Sequence, residues 1–245
     1  MNLNYSEFYA QFHPADAKHR HGLTLLHHRM LGPLLPADRQ ARILDVGCGR
    51  GYALQDVQAL GYSQLSGVDV NADQVAFAQK LGLAVELAPD TAEYLTARPA
   101  AYEVVLLIDV LEHVPRERQP EFLRAVQRSL VPGGRLICSV PNAASSINGY
   151  WLHNDYTHQW SFTSTSLSGL LTQCGFAHAR CDGVELFPRP RYLFWLPSKR
   201  TLTWLLRCGT RLRQRAEYIA ELGWDRGWSV ILTPNLLVIA DKPGA

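Results

Sequence analysis

The sequence predicts an α/β fold, a doubly wound parallel sheet with helices on both faces, and three observations lead there. Between residues 41 and 140, short apolar runs alternate with amphipathic stretches, the order that builds a parallel sheet covered on both sides. Residues 103–108, Glu-Val-Val-Leu-Leu-Ile, are a nearly continuous apolar run, as a strand buried on both faces requires. The first apolar run leads straight into Gly47-Cys48-Gly49-Arg50-Gly51, where alternate glycines let the backbone turn tightly and approach a ligand without Cβ interference.

Taken in order, a first helix is predicted from Asp16, its N-cap, through Leu23, Leu25, Leu26, Met30 and Leu31 to a stop near Gly32-Pro33. Strands follow at 41–46, 65–70, 84–88, 103–108 and 135–140, with helices from 52 to 60, at 73–81, 91–96 and 117–130. Pro132-Gly133-Gly134 reads as a turn. Residues 141–163, rich in Asn, Ser, His and aromatics, read as a loop. A helix at 166–174 ends at Gly175, which suits a C′ glycine. Residues 179–186 and 235–240 give a sixth and a seventh strand, for a seven-stranded sheet whose last strands run antiparallel. Residues 1–245 are thus expected to form one domain: an N-terminal helical cap (1–40), a core (41–186), a helical insertion (187–232) and the final strand (233–245).

Composition agrees. The chain has 245 residues, 47% hydrophobic and 19% charged, enough to build a core and too apolar for disorder. Lys plus Arg number 24 against 22 Asp plus Glu, so no basic excess argues for nucleic acid. Cysteines fall at 48, 138, 174, 181 and 208 without C-x-x-C spacing, and read as reduced cytosolic thiols. The histidines at 19, 21, 27 and 28 lack nearby carboxylates or cysteines, and no metal site is expected. The first residues lack the pattern of a signal peptide, and no uncharged apolar run approaches the roughly 18 residues of a membrane span. The expected location is the cytoplasm.

The glycine loop departs from the dinucleotide fingerprint, whose third glycine would stand where Tyr52 is. That speaks against an oxidoreductase. Asp69 closes the second predicted strand about 20 residues past the loop, where a carboxylate accepts hydrogen bonds from a ribose diol. Asp90 follows the third strand at the same sheet edge; taken alone it reads as a helix N-cap. The set Leu44-Asp45-Val46-Gly47-Cys48-Gly49-Arg50-Gly51, Gly67-Val68-Asp69, Asp90, Ile108-Asp109-Val110-Leu111-Glu112-His113-Val114 and Leu130-Val131-Pro132-Gly133-Gly134 resembles class I methyltransferases, over about residues 40–186. The resemblance implies a Rossmann-like fold and S-adenosyl-L-methionine as cofactor. It places Gly47, Gly49 and Gly51 under the methionine part, Asp45 facing the ammonium, Asp69 on both ribose hydroxyls and Asp90 with Thr91 at the adenine edge. Val70, Ile108 and Asp109 are further implied contacts. Where the family often has Asp at the start of the fourth strand, this chain has Glu103.

Methyl transfer from a sulfonium is an in-line displacement, so the enzyme aligns donor and acceptor and shields them from water. A hydroxyl acceptor benefits from a general base; the candidates are His113, His153 and His158, with Asp155. His113 follows the fourth strand and also reads as a structural or cofactor-side contact. His158 lies in Asp155-Tyr156-Thr157-His158, followed by Phe162-Thr163, a pattern that resembles bacterial methyltransferases associated with surface-glycan biosynthesis. That second resemblance implies an O-methyltransferase acting on a hydroxyl or phosphate of a surface glycan or its lipid-linked precursor. In it His158, oriented by Asp155, takes or positions the acceptor proton; a loop-anchoring hydrogen bond is the other reading of His158. Two alternatives stay open: a small-molecule O-methyltransferase acting on a quinone or acyl precursor, and a non-catalytic cofactor-binding partner domain. Tyr150, Trp151, Tyr156 and Trp160 can stack on sugars or on rings.

In the insertion, an aromatic run from Tyr192 to Trp195 precedes Lys199, Arg200, Arg207, Arg211, Arg213 and Arg215, and residues 198–219 read as a basic amphipathic helix. Its apolar face packs on the core or on a second copy of the chain, or residues 192–219 lie at the inner membrane face. Tyr5, Phe8, Tyr9, Phe12 and His13 can serve as a lid or as core.

Overall fold

The computed structural model describes residues 17–185 and 198–244, and these fold around one sheet of seven strands. In chain order the strands are β1 (Ile43–Val46), β2 (Leu65–Asp69), β3 (Val85–Leu87), β4 (Tyr102–Ile108), β5 (Leu130–Pro141), β6 (Ala177–Val184) and β7 (Asn235–Asp241). Their spatial order is β3-β2-β1-β4-β5-β7-β6. The sheet reverses its winding between β1 and β4, and open α/β sheets bind ligands at the C-terminal edge beside such a switch point.

The strand sequences explain why the centre of the sheet holds. In β4, Val105 and Leu107 point into one apolar layer, with Leu44, Leu123 and Leu136, while Val104 and Leu106 point into the other, with Leu31, Ile43 and Ile137. A strand with period-two geometry and two buried faces has no polar side to offer. Each fully buried Leu or Val contributes about 1.5–3 kcal/mol.

The helices are α1 (Ala17–Leu31), α2 (Tyr52–Ala59), α3 (Ala72–Lys80), α4 (Thr91–Thr96), α5 (Gln119–Ser129), α6 (Asn148–Asn154), α7 (Ser164–Gln173), α8 (Lys199–Leu222) and α9 (Trp224–Ser229). Caps fix several starts. Asn71 accepts from the Asp73 and Gln74 amides, and Thr163 and Ser166 form a capping box. Gly175, just past α7, has φ +91°, as its C′ position requires.

Four expectations need correction. Only β7 runs against the sheet: α7 returns the chain so that β6 runs parallel to β5 one position away, and β7 fills the gap antiparallel to both. Pro132-Gly133-Gly134 does not end an element but bulges within β5. Tyr102 pairs with Leu130 and Val104 with Arg135, and the exchange of bonds between Gly133, Gly134 and Lys242 holds the excess residues. The stretch 141–163 contains α6, whose Asn, Gly, Tyr, Trp and His are weak helix formers and hid it. Finally, α8 does not lay its leucines on the core. Arg207 and Arg211 turn inward to Glu185, and Arg215 donates to the carbonyls of Gly227 and Trp228. Leu202, Leu205, Leu206 and Leu212 face outward, half to nearly three-quarters exposed.

Among the described residues no helix is long and apolar enough to cross a membrane. Asp16, the aromatic N-terminal residues 5–13 and the run 192–197 lie outside the described residues.

Candidate active site

The C-terminal ends of β1, β2 and β4 open into a cleft of about 1390 Å³. Its floor is the glycine loop. The Gly47 and Cys48 amides both donate to the Val68 carbonyl, at 2.8 and 3.0 Å, which folds the loop back over β2. Gly47 has φ +69°, and a Cβ there would stand 2.6 Å from Val110 Cγ2. Gly47 and Gly49 line the cleft. Gly51 does not: a Cβ at Gly51 would meet Leu83 Cδ1 at 2.2 Å and Ala78 Cβ at 3.3 Å, so this glycine lets α3 and its following turn pack closely. The position implied for it under a cofactor is therefore corrected.

Two carboxylates share the cleft. Asp45 is 2% exposed, and burial, with Asp69 adding to it, pushes its carboxyl up to about 8. Asp69 accepts the Gly49 amide on Oδ2 and the Asn71 amide on Oδ1, both at 2.8 Å. Each of its oxygens retains a lone pair. Burial raises the Asp69 carboxyl as well, against the pull of those backbone bonds. Two crowded carboxylates are what a cationic ligand group relieves, and S-adenosylmethionine carries an ammonium, a sulfonium and a ribose diol. The residues present fit that cofactor.

Val70, Thr91 and Ile108 line the same cleft. Asp90 lines it too but caps α4, accepting the Glu93 amide at 3.0 Å and an Arg118 bond at 3.1 Å. Asp109 follows β4 at φ +54°, a strained conformation for a residue with a side chain. Its Oδ1 accepts from Ser139 Oγ at 2.7 Å and from Asn235 Nδ2 at 3.2 Å, which ties β4, β5 and β7 together at the floor.

The acceptor-side candidates meet one another. The Gln159 amide donates to the Glu112 carbonyl at 2.8 Å and brings the 155–160 loop onto the 3₁₀ turn Leu111–His113. The rings of His113 and His158 then stand 4.7 Å apart edge to face. His158 Nδ1 lies 2.9 Å from the Trp151 carbonyl, which only accepts, so Nδ1 carries the proton and Nε2 a lone pair. Asp155 does not touch the His158 ring. Its carboxylate accepts the Thr157 amide and hydroxyl at 2.8 and 2.6 Å. Thr157 Oγ1 in turn accepts from His113 Nδ1 at 2.8 Å. Asp155 thus orients His113 through Thr157, a correction to its expected pairing with His158. Burial, and after it the neighbouring His158, pushes the His113 imidazole down to about 4.

Glu112 was quoted in the motif but not singled out. It is fully buried, and neither carboxylate oxygen has a hydrogen-bond partner among the described residues. Burial, then the charges of Asp109 and Asp155, raises its carboxyl well above the usual range. Glu112, His113 and His158 each bring a ligand atom within 4.8 Å of the other two. The visible signal was a carboxylate beside an imidazole directly past a fully buried strand. Tyr150 and Trp151 line the cleft, as does Arg200 from the start of α8; His153, Tyr156 and Trp160 do not.

The methyltransferase-domain family model matches residues 16–179. The ubiquinone biosynthesis O-methyltransferase of Cereibacter sphaeroides (strain KD131) is 32% identical over 162 residues, 60% of this chain and 64% of its own length. That of Dinoroseobacter shibae is 32% identical over 178 residues, 66% and 69% of the two chains. The chain spans 64% of the length of the first of these curated relatives. A SAM-dependent methyltransferase from Archaeoglobus fulgidus superposes with a TM-score of 0.70 at 20% identity, over 98% of this chain and 100% of that one; at that identity the likeness is one of fold.

Proposed function

The chain belongs to the methyltransferase-domain family, and on that premise we propose that it is an S-adenosylmethionine-dependent O-methyltransferase acting on a phenolic hydroxyl of a lipid-soluble quinone precursor. The observation that carries the reading is the meeting of His113 and His158 in the cleft that also holds Asp45 and Asp69. The name shared by the curated relatives favours a ring acceptor over a sugar.

Bound in the cleft, the cofactor supplies a methyl group already activated on a cationic sulfonium. Asp45 would face its ammonium and Asp69 its ribose hydroxyls, with the Gly47–Gly49 backbone beneath. The chain's remaining task is alignment and exclusion of water. His113 and His158 receive the acceptor oxygen, with their Nε2 lone pairs turned to its proton. Trp151 and Tyr150 give the acceptor ring apolar surface to lie on.

A lipid-soluble acceptor also suits α8. Its outward leucines and the basic residues at its start, with the exposed stacked pair Trp224 and Trp228 of the adjoining α9, are the composition of a membrane-interface segment. Flotation of the protein with anionic vesicles, weakened by Leu205→Glu with Leu212→Glu, is the expected result; no flotation would remove this support. A hydroxyl of a surface glycan is the second reading, favoured by the Asp155–His158 pattern alone.

The test is methyl-labelled S-adenosylmethionine with a phenolic quinone precursor and, separately, a lipid-linked glycan extract. Label is expected in the ring compound. His158→Ala should slow transfer by about 10²–10⁴-fold while S-adenosylhomocysteine still binds. Label in the glycan would move the acceptor to the second reading, and normal turnover by His158→Ala would remove the role given to that residue.

A further inference from the structure

We propose that Glu112, His113 and His158 form a binding site for a divalent transition-metal cation of the Mn²⁺, Fe²⁺ or Zn²⁺ class. Composition and spacing gave no hint of it, because His158 stands on a loop after β5 while Glu112 and His113 stand on the turn after β4. The fold brings them together: each offers one ligand atom within 4.8 Å of the other two. Three ligand atoms each about 2.1 Å from a common cation lie about 3.0–3.6 Å apart, so closure takes side-chain rotations that move the ligand atoms by about 1 Å.

Two independent features point to a cation and not to a network of hydrogen bonds. Both imidazoles are oriented from behind. His158 Nδ1 donates to the Trp151 carbonyl and His113 Nδ1 to Thr157, whose own hydroxyl hydrogen goes to Asp155. That is how metal-ligating histidines are held, with the tautomer set by a partner on the far nitrogen. The near nitrogens therefore present lone pairs, as the Glu112 carboxylate does. With Glu112 ionised, this cluster of acceptors has no donor and is repulsive unless a proton or a cation joins it. Finally, Glu112 is fully buried with both oxygens unpartnered, and a buried carboxylate without a partner is costly. Were Glu112 simply a hydrogen-bond partner of either ring, one of its oxygens would show the bond.

Two imidazoles and one carboxylate leave several coordination positions of a transition metal free, and all three residues line the cleft. With a cation bound, the Nε2 lone pairs of His113 and His158 would be its ligands and would act on the acceptor through it in place of receiving the proton directly. An acceptor hydroxyl oxygen taken up there would be more acidic, its proton passing to water as the oxygen–carbon bond forms and the carbon–sulfur bond breaks. The metal keeps its oxidation state. This last point rests on the methyl-transfer reading above; the binding site itself does not.

The experiment is uptake of Co²⁺ by chelator-treated protein, read from its visible d–d absorption and from stoichiometry. One Co²⁺ per chain is expected, displaced by Zn²⁺. His158→Ala, on a loop and outside the core, should weaken uptake more than tenfold. Thr157→Val, which removes the bond behind His113 together with the hydroxyl's own bond to Asp155, should weaken it about 10–100-fold. S-adenosylhomocysteine binding by both variants reports that they are folded. Failure of the wild type to take up Co²⁺, or uptake unchanged in His158→Ala, overturns the site and leaves Glu112 a buried neutral acid. Uptake without methylation of any phenol would instead retire the acceptor reading and keep the site.

Discussion

At the scale of single residues, the cleft depends on atoms that are absent. Gly47 combines a left-handed φ of +69° with a Val110 methyl 2.6 Å from where a Cβ would be. Gly47→Ala should cost about 1–2 kcal/mol from the backbone conformation, and the clash adds to it. Adding Val110→Ala should relieve the clash and leave the conformational cost, so the double variant is expected to recover only part of the lost stability and of S-adenosylhomocysteine affinity. Urea unfolding of the wild type and both variants checks this, and a Gly47→Ala variant as stable as the wild type would show the loop to be softer than argued. Gly51 illustrates where reading residues one at a time runs out. Its spacing matched a ligand-cradling loop, yet its missing side chain faces Leu83 and Ala78. Spacing identifies a glycine the fold requires, but not which neighbour requires it. Glu112 is the opposite case: the letter was plain in the motif, but its lack of partners is a property of packing that no local pattern carries.

At the scale of elements, strands and helices built from periodic apolar sequence are legible to within about two residues, except β5, which begins five residues ahead of its expected start at Arg135 because of its bulge; those held by polar contacts are not. The continuous run in β4 admits one placement. By contrast α6 has no buried side chain and draws on weak helix formers, so nothing periodic marks it. The same distinction explains α8, where amphipathicity is visible but the orientation is set by polar partners: Glu185 and the carbonyls of Ala144, Gly227 and Trp228. The tie between α1 and α2 is also polar and carries its own prediction. Burial works to raise the Asp56 carboxyl, but the bonds and charges of His27 and Arg20, at 2.6 and 2.7 Å, outweigh it and hold it down to about 2. A depressed folded value means stability that is present above the ordinary carboxylate range near pH 4 and lost as pH falls toward 2. It amounts to about 2 kcal/mol at neutral pH. The stability difference between wild type and Asp56→Asn, from urea unfolding, should therefore roughly halve between pH 6 and pH 3. A difference that does not change with pH would mean that Asp56 contributes packing and not charge.

At the scale of the whole molecule, the cleft is a place where folding and binding oppose each other. Asp45 stands near the end of β1, where the hydrophobic layers on both faces exclude water, and Asp69 closes the neighbouring β2. The sheet order that gathers the cofactor contacts also crowds these two acids. Burial and then Asp69 raise the Asp45 carboxyl to about 8. A raised folded value has the opposite sign to that of Asp56: its contribution to stability is full below about pH 4 and is lost as pH rises toward 8. In that window the ligand-free protein has a choice between binding a proton and tolerating a buried charge. A ligand ammonium removes the conflict by stabilising the ionised form, so binding must expel the proton wherever one is held. Affinity for S-adenosylhomocysteine should accordingly rise by up to roughly tenfold per pH unit between pH 6 and pH 8 and then level off. Thermal stabilisation by a fixed concentration of that ligand should grow over the same interval. Asp45→Asn, which keeps the shape and removes the titration, should bind more weakly at pH 8 and with no slope from pH 6. Calorimetric titration at the two pH values in buffers of different ionisation enthalpy measures the affinity and the released proton together. Equal affinity with no proton released would mean that the protonation state of Asp45 is the same in the free and the bound protein, and would remove the linkage argued here.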